Sequence, residues 1–414
     1  MSSLEQQLAR ELAELDRAGL RRSLRIITSA QGTCIRSAGR QFINFSSNDY
    51  LGLANHPKLK QAAQRAIDSF GAGTGASRLI SGSNTCFHEL ETTLARFKET
   101  EGALVFSTGY TATLGTLPCL VAKGDVILID RLAHASIIDA ARLSGATLRV
   151  FKHNDMDHLK KQLQRAAIEI EAAGTRSHIS PGLPRGLPAG SRPARILIAT
   201  ESIFSMDGDT APLDDIVQLK NDWNAFLFLD DAHATGICGP QGKGWAHARG
   251  LAGQVDVNMG TLSKACGSSG GFVSGTATLV EFLIHRARTF LFSTAPLPAS
   301  AAAAQAALEL IGSHEGDVRR TALWDNIRLF SSALRDVKPS QSAIFPLFIG
   351  AEQKASAISQ QLLKEGFLVP AIRYPTVARG KARLRISLSA DHTSEQISAL
   401  VMALQSAGAF PAKM

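Results

Sequence analysis

The sequence has no pair of cysteines at metal or redox spacing. Its five cysteines, Cys34, Cys86, Cys119, Cys238 and Cys266, stand far apart and are odd in number. That argues against a disulfide framework or zinc site and suits a reducing compartment. No apolar run of about eighteen residues occurs, and residues 1–22 carry charges throughout, without an apolar core. Neither a membrane span nor an export signal is therefore expected, and a cytoplasmic location is. There is no block of lysines and arginines either. The net charge of +8 is spread along the chain, which favours small anionic ligands over nucleic acid. The phosphate loop G-x-x-x-x-G-K-[ST] is missing, which argues against a nucleotide triphosphatase. The glycine-rich run at residues 71–82 follows a helical pattern instead of a strand, so a dinucleotide fingerprint, and NAD chemistry with it, is set aside.

What the chain does have is length and apolar content. With 414 residues, 45% of them apolar and 19% charged, it can bury a large core, and its length predicts one large domain with a smaller companion. Short apolar runs recur at residues 103–106, 126–129, 196–199, 226–229, 255–259 and 271–275, with helix-length segments between several of them. Strands buried on both faces of a mostly parallel sheet read this way, which makes the class α/β. Later in the chain an alanine-rich helix at 299–311 precedes candidate strands at 344–349, 367–371 and 382–388. In the last of these Leu384, Ile386 and Leu388 alternate with Arg383, Arg385 and Ser387, which places Arg385 on the polar face of a rigid strand. At the other end, residues 4–20 carry leucines at helical spacing and predict an amphipathic arm ending in Arg21 and Arg22. Residues 44–52 form a dense polar turn containing Asn48, and Pro57 opens a helix with Leu59, Ala62, Ala66 and Phe70 on one face. Residues 174–195, with four prolines and four glycines, read as a mobile surface insertion within the large domain.

In such sheets ligands collect at the carboxyl ends of the strands, so the polar residues after each run are the candidates. They read Ser107-Thr-Gly-Tyr110, Asp130-Arg-Leu-Ala-His134, Glu201-Ser-Ile-Phe-Ser205, Asp230-Asp-Ala-His233 and Thr261-Leu-Ser-Lys264. Lys264 stands among small residues that admit a planar partner. A lysine kept from water there can lose its proton and attack an aldehyde to form a Schiff base. Asp230 ends a wholly apolar strand, where an unpaired carboxylate is expensive, so a cationic partner such as a protonated ring nitrogen would account for it. His233 can hydrogen-bond a phenolic oxygen, and His134 offers a flat ring for stacking. Ser107 to Tyr110 opens onto an apolar segment, and free N–H groups at such a helix start suit a phosphate. Singly, each residue reads as well as a capped strand end, a surface lysine or a satisfied core histidine. Five strand ends with compatible chemistry are what point to one cofactor site.

Longer stretches add specificity: Ser47-Asn-Asp-Tyr-Leu-Gly52, Gly75-Ala-Ser-Arg-Leu-Ile-Ser-Gly82, His153-Asn-Asp155, Ser205-Met-Asp-Gly-Asp209, Asp230-Asp-Ala-His-Ala-Thr-Gly236, Phe292-Ser-Thr-Ala295, Ala371-Ile-Arg-Tyr-Pro-Thr-Val377 and Ala382-Arg-Leu-Arg-Ile-Ser-Leu-Ser-Ala390. From about Arg22 to the C-terminus the chain resembles the α-oxoamine synthases, pyridoxal-phosphate enzymes of fold type I. The resemblance implies an N-terminal arm over 1–55, a large cofactor-binding domain over 56–295 and a small α+β domain over 296–414. It implies a Schiff base on Lys264, with Asp230 on the ring nitrogen, His233 on the ring hydroxyl and His134 stacked on the ring. Gly109, Tyr110, Ser205 and Thr261 would complete the cofactor site, with Thr294 reaching in from the second subunit of a homodimer. Arg385 and Asn48 would take the amino-acid carboxylate, with Arg22 and Thr376 on the acyl-donor side and His134 near the thioester. The implied reaction is decarboxylative condensation of L-alanine with a pimeloyl thioester, carried by CoA or a carrier protein. Sister reactions, glycine with acetyl-CoA or serine with a long acyl-CoA, and a non-catalytic binding protein stay open. Tyr374 and Ala378 stand where relatives carry proline, a departure on the acyl-donor side.

Overall fold

The computed structural model describes residues 3–172, 176–177, 192–334 and 340–410. The chain divides into two compact units, one of residues 48–205 and 209–321, the other of residues 1–47, 206–208 and 322–414. The arm thus groups with the C-terminal residues, and the helix Pro298–Ile311 belongs to the larger unit, where the sequence drew its boundaries at 55 and 295. No helix among the described residues is long and apolar enough to cross a membrane.

The larger unit is built on a seven-stranded sheet in the order Gly102–Phe106, Gly271–Gly275, Val257–Thr261, Phe226–Asp230, Ile196–Glu201, Val126–Asp130 and Thr147–Phe151. The last five run parallel, and Gly271–Gly275 is antiparallel to both its neighbours. Every residue of Val126–Asp130 and Ile196–Glu201 is buried, which explains why these strands are continuous apolar runs instead of alternating ones. Side chains alternate between two cores. Ile127, Ile129, Leu197, Ala199 and Phe228 join one cluster, whereas Val126, Leu128, Ile196, Ile198, Leu227 and Leu229 join the other. All six apolar runs are strands. The one expected at 255–259 is shifted to Val257–Thr261, because the Asp256 carboxylate accepts the Leu227 N–H at 2.8 Å ahead of the ladder. The edge strand Thr147–Phe151 escapes sequence reading, since only Phe151 in it is buried.

The smaller unit holds the hairpin Cys34–Ser37 and Arg40–Asn44, joined by Phe367–Leu368, and a second sheet in the order Ile344–Gly350, Ala382–Ser387 and Ala371–Ile372. The single strand expected at 367–371 is thus two, one in each sheet. Pro370 lies between them and has no N–H for a ladder. The arm forms the helix Ser3–Arg17, and none of its residues is buried.

In the larger unit Arg176–Ser177 pairs antiparallel with Arg192–Pro193. Between these strands the insertion expected at 174–195 lies outside the described residues. Its C-terminal base is anchored by Asp125, which is fully buried. The Asp125 carboxylate takes both ends of the Arg192 guanidinium, the Arg195 N–H at 2.8 Å and the Ala122 N–H at 2.7 Å.

The loop after Phe226–Asp230 is fixed by a buried ion pair. Lys98 Nζ donates to Asp231 Oδ2 at 2.8 Å, Thr235 Oγ1 at 2.8 Å and the Lys243 carbonyl at 2.7 Å. The Lys98 and Asp231 side chains are 1% and 0% exposed, so all three ammonium protons find acceptors away from water. Asp231 Oδ1 accepts the Trp245 N–H at 3.1 Å. At Gly244 a Cβ would lie 1.7 Å from Asp231 Oδ2, so only glycine closes this loop. Removing one member strands a buried charge. Lys98→Met is expected to lower stability by about 3–5 kcal/mol in urea unfolding, and a loss below about 1 kcal/mol would mean that Asp231 finds another partner.

Candidate active site

Because the five parallel strands point one way, their carboxyl ends lie along one edge of the sheet. Asp230 ends the strand Phe226–Asp230, buried, and its carboxylate accepts the Ala232 N–H at 3.0 Å. Burial raises its pKa, and the nearby Lys264 and His134 oppose that rise. Lys264 lies in the turn after Val257–Thr261. The turn is tied by Leu262 N–H to the Gly270 carbonyl at 3.0 Å and by Thr261 Oγ1 to the same carbonyl at 2.9 Å.

Lys264 Nζ is 2.9 Å from His233 Nε2, His233 Nδ1 is 2.7 Å from Tyr50 Oη, and Tyr50 Oη donates to Asn48 Oδ1 at 3.2 Å. A lysine ammonium can only donate. With Lys264 charged, Nε2 of His233 accepts, Nδ1–H donates to Tyr50, and Tyr50 passes its own proton toward Asn48. One string of hydrogen bonds thus fixes the His233 tautomer and orients the amine.

His134 follows Val126–Asp130 and caps the helix Ala135–Ser144, its Nδ1 2.8 Å from Ser136 Oγ and accepting the Ser136 N–H at 3.2 Å. The residue is exposed, yet protein packed around the ring is the main force lowering its pKa. Lys264 adds to that fall, while Asp230 and Asp139 oppose it. The helix Gly109–Leu120 starts at the same edge, with Thr108 and Thr111 closing a capping box that leaves the first-turn N–H groups of Gly109 and Tyr110 without helical acceptors. The helix start is pressed against the sheet, because a Cβ on Gly271 would lie 2.4 Å from the Gly109 nitrogen. Tyr110 Oη donates to Asp139 at 2.5 Å. Ser205 is buried, and its N–H donates to Glu201 Oε2 at 3.2 Å. The Thr261 and Ser263 hydroxyls are 2.8 Å apart. Thr294 is exposed and forms an isolated bridge with Ser77.

The larger unit therefore brings Asn48, His134, Asp230, His233 and Lys264 into one cluster, with Ser205, Thr261, Gly109 and Tyr110 along the same edge. In the smaller unit Arg22 Nη2 donates to Thr376 Oγ1 at 3.3 Å. Arg385 lies on Ala382–Ser387, buried, and donates to Ser387 Oγ at 2.9 Å. The alternation read for this strand holds, but its polar face is covered as well as its apolar one. Arg383 is met there by Asp207 Oδ1 at 2.6 Å.

Three residues escaped assignment. Tyr50 lies in the polar turn already singled out, buried at 1% exposure. Glu201 ends an apolar strand as Asp230 does, a signal that could have found it. Its carboxyl is buried, with Oε1 lacking a hydrogen-bond partner. His153 bridges two acids, its Nδ1 3.0 Å from Asp130 Oδ1 and its Nε2 2.8 Å from Asp209 Oδ2. Burial pulls its pKa down, but Asp130 and then Asp209 outweigh that and push it up to about 10.

The sequence model of aminotransferase class I and II matches residues 40–404. The 8-amino-7-oxononanoate synthase of Geobacter sulfurreducens is 43% identical over 409 residues, covering 98% of each chain. A solved serine palmitoyltransferase from S. paucimobilis, with a bound PLP–myriocin aldimine, superposes with a TM-score of 0.86 at 29% identity, covering 99% of this chain and 98% of that one. The solved 8-amino-7-oxononanoate synthase of Francisella tularensis gives a TM-score of 0.69 at 26% identity, covering 88% and 97%.

Two outcomes follow from the geometry. Tyr50→Phe keeps the packed ring but removes the acceptor of His233 Nδ1. It is expected to cost about 1–3 kcal/mol of stability and to mix the His233 tautomers in nitrogen NMR, whereas a single tautomer in the variant would show that Tyr50 does not set it. For His153 the folded pKa, about 10, lies above the ordinary 6.5. Its stabilisation is therefore complete below about pH 6.5 and lost as pH rises through about 10. The melting-temperature gap between the native protein and His153→Gln should close over that interval, and a gap constant with pH would contradict the charged bridge.

Proposed function

Since the chain belongs to the aminotransferase class I and II family, we propose that it uses pyridoxal 5′-phosphate to condense L-alanine with a pimeloyl thioester, giving 8-amino-7-oxononanoate, CoA and CO2, a step of biotin biosynthesis. The observation that carries the chemistry is Lys264 Nζ held 2.9 Å from His233 beside the buried Asp230. The reaction is supported by the 43% identity, over nearly the whole length of both chains, to an 8-amino-7-oxononanoate synthase.

The residues present fit the cofactor. The Lys264 amine would link to its aldehyde and Asp230 would face its ring nitrogen. His233 would serve its ring hydroxyl and His134 its ring face. The helix start at Gly109 and Tyr110, with Ser205 and Thr261, would hold the phosphate side. When bound, the group supplies an electron sink for charge at the amino-acid Cα. The protein's own groups do the rest. Lys264 Nζ takes the Cα proton and later returns one, with His233 and Tyr50 keeping it in place. Asp230, ionised, keeps positive charge on whatever faces it. His134 accepts at Nδ1 from Ser136, so in its neutral form the proton sits on Nε2, the atom available to donate to the thioester oxygen. Arg385, a rigid buried fork, suits a carboxylate, and Arg22 with Thr376 offers donors to the acyl chain.

We also infer a homodimer to which Thr294 contributes. Around the Ser77–Thr294 bridge Leu79, Ile80, Phe292 and Leu297 are 52%, 80%, 72% and 52% exposed, an apolar patch that a second copy would cover.

A second reading, serine with a long acyl-CoA, draws on the TM-score of 0.86 to serine palmitoyltransferase. Thiol release by the purified holoenzyme separates the two. Alanine with pimeloyl-CoA should exceed serine with palmitoyl-CoA, and glycine with acetyl-CoA, by at least about tenfold in kcat/KM. A preference for either sister pair would replace the proposed substrates, and turnover retained in Lys264→Ala would remove the proposed chemistry.

A further inference from the structure

The mechanism gives no part to the buried acid Glu201, which ends the strand beside that of Asp230. Glu201 and Asp230 are register partners on adjacent parallel strands, so their side chains leave the same face of the sheet about 5 Å apart at the backbone. That face is the one already occupied by Leu197, Ala199 and Phe228, which the period of two continues to Glu201 on one strand and to Asp230 on the other. The two residues are 2% and 5% exposed. Two carboxyl groups leaving one face this close together and this far from water oppose each other's ionisation.

The surroundings decide which of the two ionises more readily. Asp230 accepts the Ala232 N–H at 3.0 Å, and Lys264 and His134, from the two flanking strand ends, pull it toward the charged form. Asp130, at the neighbouring strand end, is engaged by His153. Glu201 is the more enclosed. Its Oε2 accepts the Ser205 N–H at 3.2 Å and the His134 backbone also donates to the carboxyl, but Oε1 is buried with no partner. A buried oxygen without a partner costs an ionised carboxylate more than it costs a neutral carboxyl. Burial, and Asp230 after it, accordingly raise the Glu201 pKa well above the ordinary carboxyl value.

We propose that Glu201 is a neutral carboxylic acid that holds the proton of the pair, so that the negative charge rests on Asp230 alone. Glu201 is then a positioning residue. It fixes where the charge sits, and through the His134 and Ser205 N–H groups it ties together the strand ends that carry them. The protonation state belongs to the protein itself, whereas its use in catalysis rests on the pyridoxal reading.

Infrared spectroscopy at pH 8 tests the assignment without turnover. Cofactor-free protein should show the C=O stretch of a protonated carboxyl, which shifts in protein labelled with 13C-glutamate and disappears in Glu201→Gln. Absence of that band, or a band that moves with 13C-aspartate instead, would overturn the proposal, and the labelling result stands even if the variant folds poorly. In holoenzyme the visible pH titration of the Lys264–cofactor linkage should move by less than about 0.3 pH unit in Glu201→Gln, since no charge is removed. A movement of about one unit or more would mean that Glu201 was ionised. A protein that shows the band but binds no cofactor would sink the pyridoxal reading and leave this one intact.

Discussion

Taking a carboxylate out of water at the end of an apolar strand costs more free energy than one hydrogen bond returns, and Asp230 is held there nonetheless. The rest of the larger unit supplies what keeps it. Parallel strands bring Lys264 and His134 to the same edge. The Lys98–Asp231 pair pins the next residue, and with it the loop that carries His233. The His233–Tyr50–Asn48 string restrains the amine on its far side. The site is therefore an electrostatic arrangement completed by ordinary packing, in which each partner would be costly alone.

That arrangement was partly legible in the sequence. All six apolar runs became strands because strands buried on both faces cannot afford polar alternation, and the acids, histidines and lysine that follow them could be named from strand direction alone. Thr147–Phe151 stayed hidden because an edge strand with one buried position has neither an apolar run nor a clean alternation. Glu201 and Asp230 look alike in sequence. Only their register across two strands, which is long-range information, reveals that they share a face. Tyr50 lay in plain view, but its partner is 183 positions away.

In the smaller unit the limit is of another kind. The alternation along Ala382–Ser387 was readable, but not the covering of both its faces, nor the capture of Arg383 by Asp207 while Arg385 bonds its own strand at Ser387. Two arginines on one face of one strand thus have different company. The split of the expected strand at Pro370 has a simpler cause, because a residue without an N–H marks where the chain leaves one sheet for another.

Asp125 carries a different lesson. By gripping Arg192, Arg195 and Ala122 together, it sets the entry of Ile196–Glu201 locally, just after the two-residue pairing of Arg176–Ser177 with Arg192–Pro193. The register of the central sheet at Ile196–Glu201 is thereby set by side chains and backbone immediately beside the strand, and owes nothing to the chain between Ser177 and Arg192.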